Sequence, residues 1–348
     1  MKAAVFDGPE KLSIQTIPDP VAGPEDIVVD VSDCGICGSD LHSYLEGAFV
    51  APGQVMGHEF SGRIVSVGKD VQGLREGDRV TAVPLSTCGR CPRCLEGATH
   101  LCETGLAASV AYGLPGAFAE FVRVPKAVLG GNVYTIPDSV DDKAAALVEP
   151  LAVALHAAKM SNPGPADTCV VVGLGSIGLN TVQMLKAMGA GRVIGIDISP
   201  ARLALAATLG ADITINGRET DALAAVTEIT GPGAYGVGAR ADIVVEASGV
   251  PALLSQAISM TRAGGKLRIA ALYEGDVAVP ANQIVQKEMS ISGTFAYRGE
   301  FAEVIKLLDA GRIAAAPVIT HSFALDDIEQ AFRTQLNKDI SIKVQVTP

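Results

Sequence analysis

The sequence predicts an α/β fold in which a doubly wound, six-stranded parallel sheet follows a mostly antiparallel β region. Three observations carry this prediction. Val170 to Asp197 reads as strand, glycine-rich turn, helix and strand in immediate succession. Further strand candidates then alternate with helical stretches as far as Ser292. Residues 1 to about 125, in contrast, read as short strands broken by Gly and Pro.

In chain order, the first strand candidates are Lys2–Phe6, Ile27–Ser32, Gly62–Val67, Arg79–Val83 and Ala119–Val124. Asp7-Gly8-Pro9, Ala22-Gly23-Pro24 and Glu76-Gly77-Asp78 supply turns between them. The composition changes near Ala144, where an alanine- and leucine-rich helical region begins, and Pro163-Gly164-Pro165 leads into the next strand. Val170, Val171 and Val172 form the β-branched run of a buried parallel strand. Ile177, Val182, Met184, Leu185 and Met188 then share one helical face, with Gly189 as its stop. Val193–Ile196 is the second strand of the sheet. Ser199-Pro200 opens a helix that Gly210 closes. Strand candidates recur at Asp212–Ile215, Asp242–Glu246, Lys266–Ala271 and Met289–Ser292, which completes six strands. Gly231–Arg240 is the most loop-like stretch. The tail from Tyr297 holds one helix, Gly299 to Ala310, then mixed segments expected to return to the first domain.

The composition excludes several classes. A net charge of −11 over 348 residues argues against nucleic acid and anionic membranes as partners. The N-terminal stretch shows no export signature, and no run approaches a membrane span. A soluble, cytoplasmic protein is expected. Seven cysteines, four of them within Cys88–Cys102, point to metal and not to disulfides.

The turn Gly173-Leu174-Gly175-Ser176-Ile177-Gly178 carries a specific chemistry. Gly173 permits the tight turn, Gly175 lets a pyrophosphate approach, and Gly178 lets helix and strand pack closely. The N–H groups that open the helix face the anion. Asp197, nineteen residues after Gly178, can accept hydrogen bonds from an adenosine ribose. Its charge opposes a 2′-phosphate, so NAD is the expected dinucleotide. Arg202 can stack on adenine or reach the ribose, or it is an ordinary exposed helix residue.

Cys88, Cys91, Cys94 and Cys102 have spacings that let four thiolates close a tetrahedron, the signature of a structural zinc. An iron–sulfur cluster shares the cysteine count, but nothing else suggests electron transfer. His100, inside this loop, reads as a surface residue. A second, dispersed set comprises Cys37, His58, Glu59 and Glu149, a donor combination that suits a zinc with an open position. The Cys34–Cys37 spacing also allows a redox motif, without a thioredoxin-like pattern around it.

The chain resembles the zinc-dependent medium-chain alcohol and polyol dehydrogenases. The resemblance rests on Gly35-Ile-Cys37-Gly-Ser39-Asp-Leu-His42, Gly57-His58-Glu59-Phe-Ser-Gly62, the four-cysteine loop, Glu76-Gly-Asp-Arg-Val80, Leu147-Val-Glu149-Pro-Leu-Ala-Val-Ala-Leu-His156 and the glycine turn. It spans nearly the whole chain, and the Glu149 segment is most similar to sorbitol and 2,3-butanediol dehydrogenases. It implies a GroES-like catalytic domain over 1–152, with its structural-zinc loop at 88–102. A Rossmann NAD-binding domain over 153–296 and a return to the catalytic domain over 297–348 follow. The family implies two zinc ions per subunit, the catalytic one on Cys37, His58 and a carboxylate, with Glu59 and Glu149 both open as that ligand. It also implies a homo-oligomer, a tetramer before a dimer.

By the same resemblance, zinc activates a substrate hydroxyl and Ser39 relays its proton through the nicotinamide ribose to His42. For both residues the alternative is local hydrogen bonding in a turn. Nicotinamide contacts are expected from Ala270, Ala271 and Leu272, and from Thr294, Phe295 and Ala296. Sorbitol dehydrogenases carry an Arg where this chain has Ala296, which leaves vicinal diols, other polyols and simple secondary alcohols open as substrates. L-Threonine 3-dehydrogenase-like oxidation of an amino alcohol is the alternative activity. A zinc-binding structural or nucleic-acid module is opposed by the acidic charge and the complete cofactor unit. A zinc-free quinone reductase is opposed by Cys37, His58, Glu149 and the four-cysteine loop. His156 and His321 have no motif that assigns them chemistry.

Overall fold

In the computed structural model, Val170–Val172 lies in a strand, Thr168–Val172, that is buried on both faces. The structure describes residues 1–348, the side chain of Tyr235 excepted. The chain divides into two units, Met1–Glu149 with Arg298–Pro348, and Pro150–Tyr297.

The second unit is built on a six-stranded sheet. Its strands in chain order are Thr168–Val172, Arg192–Asp197, Ile213–Asn216, Ala241–Glu246, Thr261–Ile269 and Ser290–Gly293. In space they run 3-2-1-4-5-6, and every neighbouring pair is parallel. This order reverses between the first and fourth strands, so a crevice opens beyond Val172 and Glu246. Val170, Val172, Ile194 and Ile196 pack with Val226 and Ile258 of flanking helices on one face. The alternate positions Val171, Val193 and Val245 are as fully buried, as a sheet covered on both sides requires.

The fifth strand begins at Thr261, five residues before the expected Lys266. Gly264-Gly265 reads locally as a turn. Here Gly264 takes a left-handed φ of 68° inside a strand whose register shifts against Ala241–Glu246.

The first unit has a seven-stranded sheet and a three-stranded one. In the larger sheet Ile27–Gly35 pairs antiparallel with Glu59–Val67, Phe121–Val124 and Lys343–Thr347. Its one parallel pair joins Ile319–Ala324 to Lys343–Thr347. Phe6, Phe60, Phe118 and Phe332 fill the core, the last two edge to face at 5.7 Å. The tail contains two α-helices, Phe301–Asp309 and Ile328–Leu336, where one was expected. The second buries only Ile328, Ala331 and Phe332, a stripe too short to separate from a loop by periodicity. Lys11–Thr16, which hairpins with Lys2–Gly8, also lay outside the expected strands.

Candidate metal and cofactor sites

Strand pairing builds the first site. Gly35 ends one strand directly opposite Glu59, which begins the next. A Cβ on Gly35 would lie 2.2 Å from Glu59 Oε2, so only glycine leaves room for that carboxylate. Two residues on, Cys37 caps the helix Gly38–Glu46, and its N–H donates to Asp40 Oδ2 at 2.9 Å. The sulfur of Cys37, a ring nitrogen of His58 and a carboxylate oxygen of Glu59 all lie within 4.8 Å of one another. Glu149, in the first turn of Val148–Ser161, is buried but outside this set of three. Its charge still acts on Lys343.

Two features bear on whether a cation fits. His58 Nδ1 is buried without a hydrogen bond, and the nearest Asp40 oxygen is 3.6 Å away. Burial works against a charged His58, but the Asp40 carboxylate and Cys37 beside it act the other way, and its pKa is raised. Sulfur, nitrogen and oxygen donors thus converge in one place, the donor set of a zinc site. The ring of Tyr112 lies 5.5 Å from that of His58, and its hydroxyl is 3.2 Å from Ser39 Oγ. Burial pushes the Tyr112 pKa up, so this hydroxyl stays protonated. His42 is half-buried one turn beyond Ser39 on the same helix. Cys34 is fully buried in the core, and desolvation holds its thiol protonated, away from the donor set.

The second site is the loop at Cys88–Cys102, whose four sulfurs cluster within 4.8 Å. Cys88 and Cys94 sulfurs are 4.0 Å apart, and the N–H groups of Cys91 and Cys88 donate to Cys88 and Cys102 at 3.3 Å each. N–H groups at Arg90 and Cys91 lower the Cys88 pKa to about 6. Desolvation and neighbouring sulfurs push Cys94 up to about 12. Four converging sulfurs that cannot all ionise alone are what a divalent cation resolves. His100 is on the turn Thr99–Leu101, outside the sulfur cluster.

The third site is the glycine turn. Gly173 has φ 88°, and a Cβ there would come within 2.7 Å of Ser248. A Cβ on Gly178 would lie 1.8 Å from Gly173 O, whereas beside Gly175 there is open space. That space adjoins the first turn of Ser176–Ala187, where Ser176 Oγ is buried without a partner and Ile177 follows. The residues fit a pyrophosphate. Asp197 does more than its position predicted. Its Oδ2 accepts from Leu174 N–H at 2.7 Å, and Oδ1 accepts from Ile198 and Ser199 at 2.8 and 2.9 Å. It therefore pins the turn to the second strand, with Arg202 Nη1 4.0 Å away. Ala270–Leu272 and Thr294–Ala296 continue directly from the carboxyl ends of the fifth and sixth strands. Leu272 and Phe295 are exposed, and Ala296 has a left-handed φ of 50°.

Sequence reasoning missed three residues here. Lys343 places Nζ 2.6 Å from Glu59 Oε2, and Tyr112 meets Ser39 and His58 as described. Glu246, fully buried at the end of the fourth strand, accepts from the Ser248 N–H at 2.8 Å and from the hydroxyls of Ser248 and Tyr273. An acid closing an apolar strand, as at Asp197, was the available signal for Glu246.

Comparison with known proteins follows the same division. Residues 23–138 match the family described as alcohol dehydrogenase GroES-like domain, and residues 176–310 match zinc-binding dehydrogenase. The chain is 35% identical to sorbitol dehydrogenase of Bacillus subtilis, covering 100% of this chain and 97% of that one. It is also 35% identical to (R,R)-butanediol dehydrogenase of the same species, with 100% of both covered. Two solved structures hold cofactors. A zinc-binding dehydrogenase from Sinorhizobium meliloti bound to NADP superposes with a TM-score of 0.89 at 30% identity, covering 100% and 99% of the chains. An Escherichia coli alcohol dehydrogenase complexed with NADH gives 0.90 at 30% identity, covering 100% and 99%.

Proposed function

The chain belongs to the zinc-dependent medium-chain alcohol and polyol dehydrogenases, and on that premise we propose that it reversibly oxidises a secondary alcohol, vicinal diol or polyol with NAD. The observation that carries this reading is the Cys37, His58 and Glu59 donor set, with Ser39 and Tyr112 adjoining it. Cys37, His58 and a carboxylate hold the catalytic zinc, and Cys88, Cys91, Cys94 and Cys102 hold a structural one. When bound there, zinc would supply the Lewis acid that acidifies the alcohol and NAD the acceptor for its hydride.

The chain's own residues do the rest. Ser39 accepts the hydroxyl proton and His42 passes it to solvent. Tyr112, protonated and hydrogen-bonded to Ser39, orients the Ser39 hydroxyl. Gly173, Gly175, Gly178 and the helix start at Ser176 and Ile177 bind the pyrophosphate. Asp197 accepts from the ribose with the oxygen capacity that its backbone bonds leave, and Arg202 flanks the adenosine. Support for NAD over NADP is the Asp197 charge, since a 2′-phosphate would be repelled there. The backbone of 270–272 and 294–296 contacts the nicotinamide. A homo-oligomer, a tetramer before a dimer, in the cytoplasm completes the proposal. Its support is the sheet edge at Ser290–Gly293 and the unpaired cysteines.

A panel of vicinal diols, polyols, secondary alcohols and L-threonine, each offered with NAD and with NADP, tests this by NADH or NADPH absorbance. Turnover of a diol or polyol with NAD is the expected result. Turnover of L-threonine alone moves the assignment to amino-alcohol oxidation, and turnover of none overturns it.

A further inference from the structure

The six-stranded unit has a second concavity at the end away from the glycine turn. A cavity of about 770 Å³ opens where the strands begin, lined by Thr168, Arg192, Thr230, Arg240, Asp242 and Arg262 among others. Dinucleotides bind at the carboxyl ends of such strands, so this cavity is not part of that site.

Its charge is unusual for this chain. Three guanidinium groups face one carboxylate, in a protein of net charge −11. Asp242 is already engaged, accepting from Arg262 Nε at 2.6 Å and from Thr168 N–H at 2.8 Å. Arg192 and Arg240 have no side-chain hydrogen bond or ion pair among the described residues. Arg192 adds to the field at Asp212, but that carboxylate is held by Lys186 at 3.0 Å.

Cations often gather at helix C-termini, and several helices end on this side of the sheet. Other residues already serve that purpose at two of them, while Arg240 Cδ packs 3.6 Å from where a Cβ on Gly231 would stand, at the end of Ala222–Thr230. Lys287 Nζ donates to the carbonyls of Ile258, Ser259 and Thr261 at the end of Pro251–Met260. Lys266 and Arg268 donate to Ser161 and Met160 at the end of Val148–Ser161. Arg192 and Arg240 contribute to neither set.

Spacing sets the size of a ligand. Arg192 and Arg262 begin strands three positions apart in the sheet, about 14 Å at the usual inter-strand distance. Both arginines line the cavity, Arg262 held by Asp242 and by the Ala263 carbonyl at 2.7 Å, and side chains of that length reaching in from the two sides would span two linked phosphoryl groups. Guanidinium forks match phosphate oxygens in geometry and charge.

We propose that this cavity binds a small anion carrying at least two phosphoryl groups, on Arg192, Arg240 and Arg262 together. The site is separate from the dinucleotide site. Calorimetric titration of the full chain with inorganic pyrophosphate, with and without saturating NADH, tests it. The wild type is expected to bind pyrophosphate in both conditions. Arg192→Gln with Arg240→Gln should weaken that binding by about tenfold or more, with NADH affinity and melting temperature unchanged. Absence of binding, full displacement by NADH, or equal binding by the double variant would each overturn the proposal.

Discussion

Lys343 and Glu59 form a buried ion pair, with Nζ 2.6 and 2.8 Å from the two carboxylate oxygens and both side chains at most 3% exposed. Nζ also donates to Ile36 O at 2.9 Å, so the ammonium bridges the strand end and the metal-ligand candidate. Lys343 fixes which way Glu59 points. In the zinc-free protein Lys343→Met should therefore be destabilising by about 3–5 kcal/mol, because an uncompensated buried carboxylate remains. Lys343→Met with Glu59→Gln should recover most of that loss in urea unfolding. Additive single effects would refute the coupling.

Cys94→Ser should remove one of two zinc ions per chain and lower the melting temperature markedly, since a structural metal contributes directly to folding. Elemental analysis with differential scanning fluorimetry checks both. One zinc in the wild type would count against the pair of sites.

Ser39→Ala leaves every metal ligand in place. It should keep full zinc content and normal NADH binding while kcat falls by ~10²-fold or more. Tyr112→Phe removes the partner of Ser39 but not the relay, and should lower kcat by a smaller factor. Near wild-type kcat in Ser39→Ala across pH would make the serine a turn residue.

Asp197→Ser removes a charge and also releases Leu174 N–H from its acceptor. NAD efficiency should fall by roughly tenfold or more, with a rise in relative NADP use that the loosened turn limits. Ratios of kcat/KM for the two cofactors read this out. A wild type that already prefers NADP would contradict the role given to Asp197.

Asp212 tests the electrostatics away from the two metal sites and the glycine turn. Burial raises its pKa, but the Val193 N–H and Lys186 outweigh it, so its net shift is downward. Its stabilising contribution is therefore present above the ordinary carboxylate value of 3.8 and is lost as pH falls through the lower folded-state value. Asp212→Asn should cost about 0.5–1 kcal/mol at neutral pH. The gap from wild type should close on acidification, as urea unfolding across pH would show. A gap that persists at low pH would exclude the ionic origin.

Local patterns made much of this chain legible. Gly173 to Gly178, the β-branched strand before them and the acid after them are dictated within thirty residues, and the four-cysteine loop within fifteen. Lys343 was hidden by the same logic. It alternates with Val344 and Val346, so period-two patterning assigns it to solvent. Lys343–Val346 is in fact buried throughout because both faces are covered, Val344 and Val346 by Phe332 and the core, Lys343 and Gln345 by Glu59 and the Lys143 carbonyl. Tyr112 lies outside any regular element, and its approach to Ser39 spans 73 residues. Gly35 reads as a turn glycine until strand pairing shows the carboxylate opposite it.

The split makeup of the first unit also orders events during synthesis. Pro150–Tyr297 is contiguous and can fold as it leaves the ribosome. The other unit cannot, because Glu59 waits 284 residues for its cation and Ile27–Gly35 waits for Lys343–Thr347. Until then a carboxylate and a strand edge stay exposed on the nascent chain, which makes this interval the one most open to misassembly and to chaperone capture.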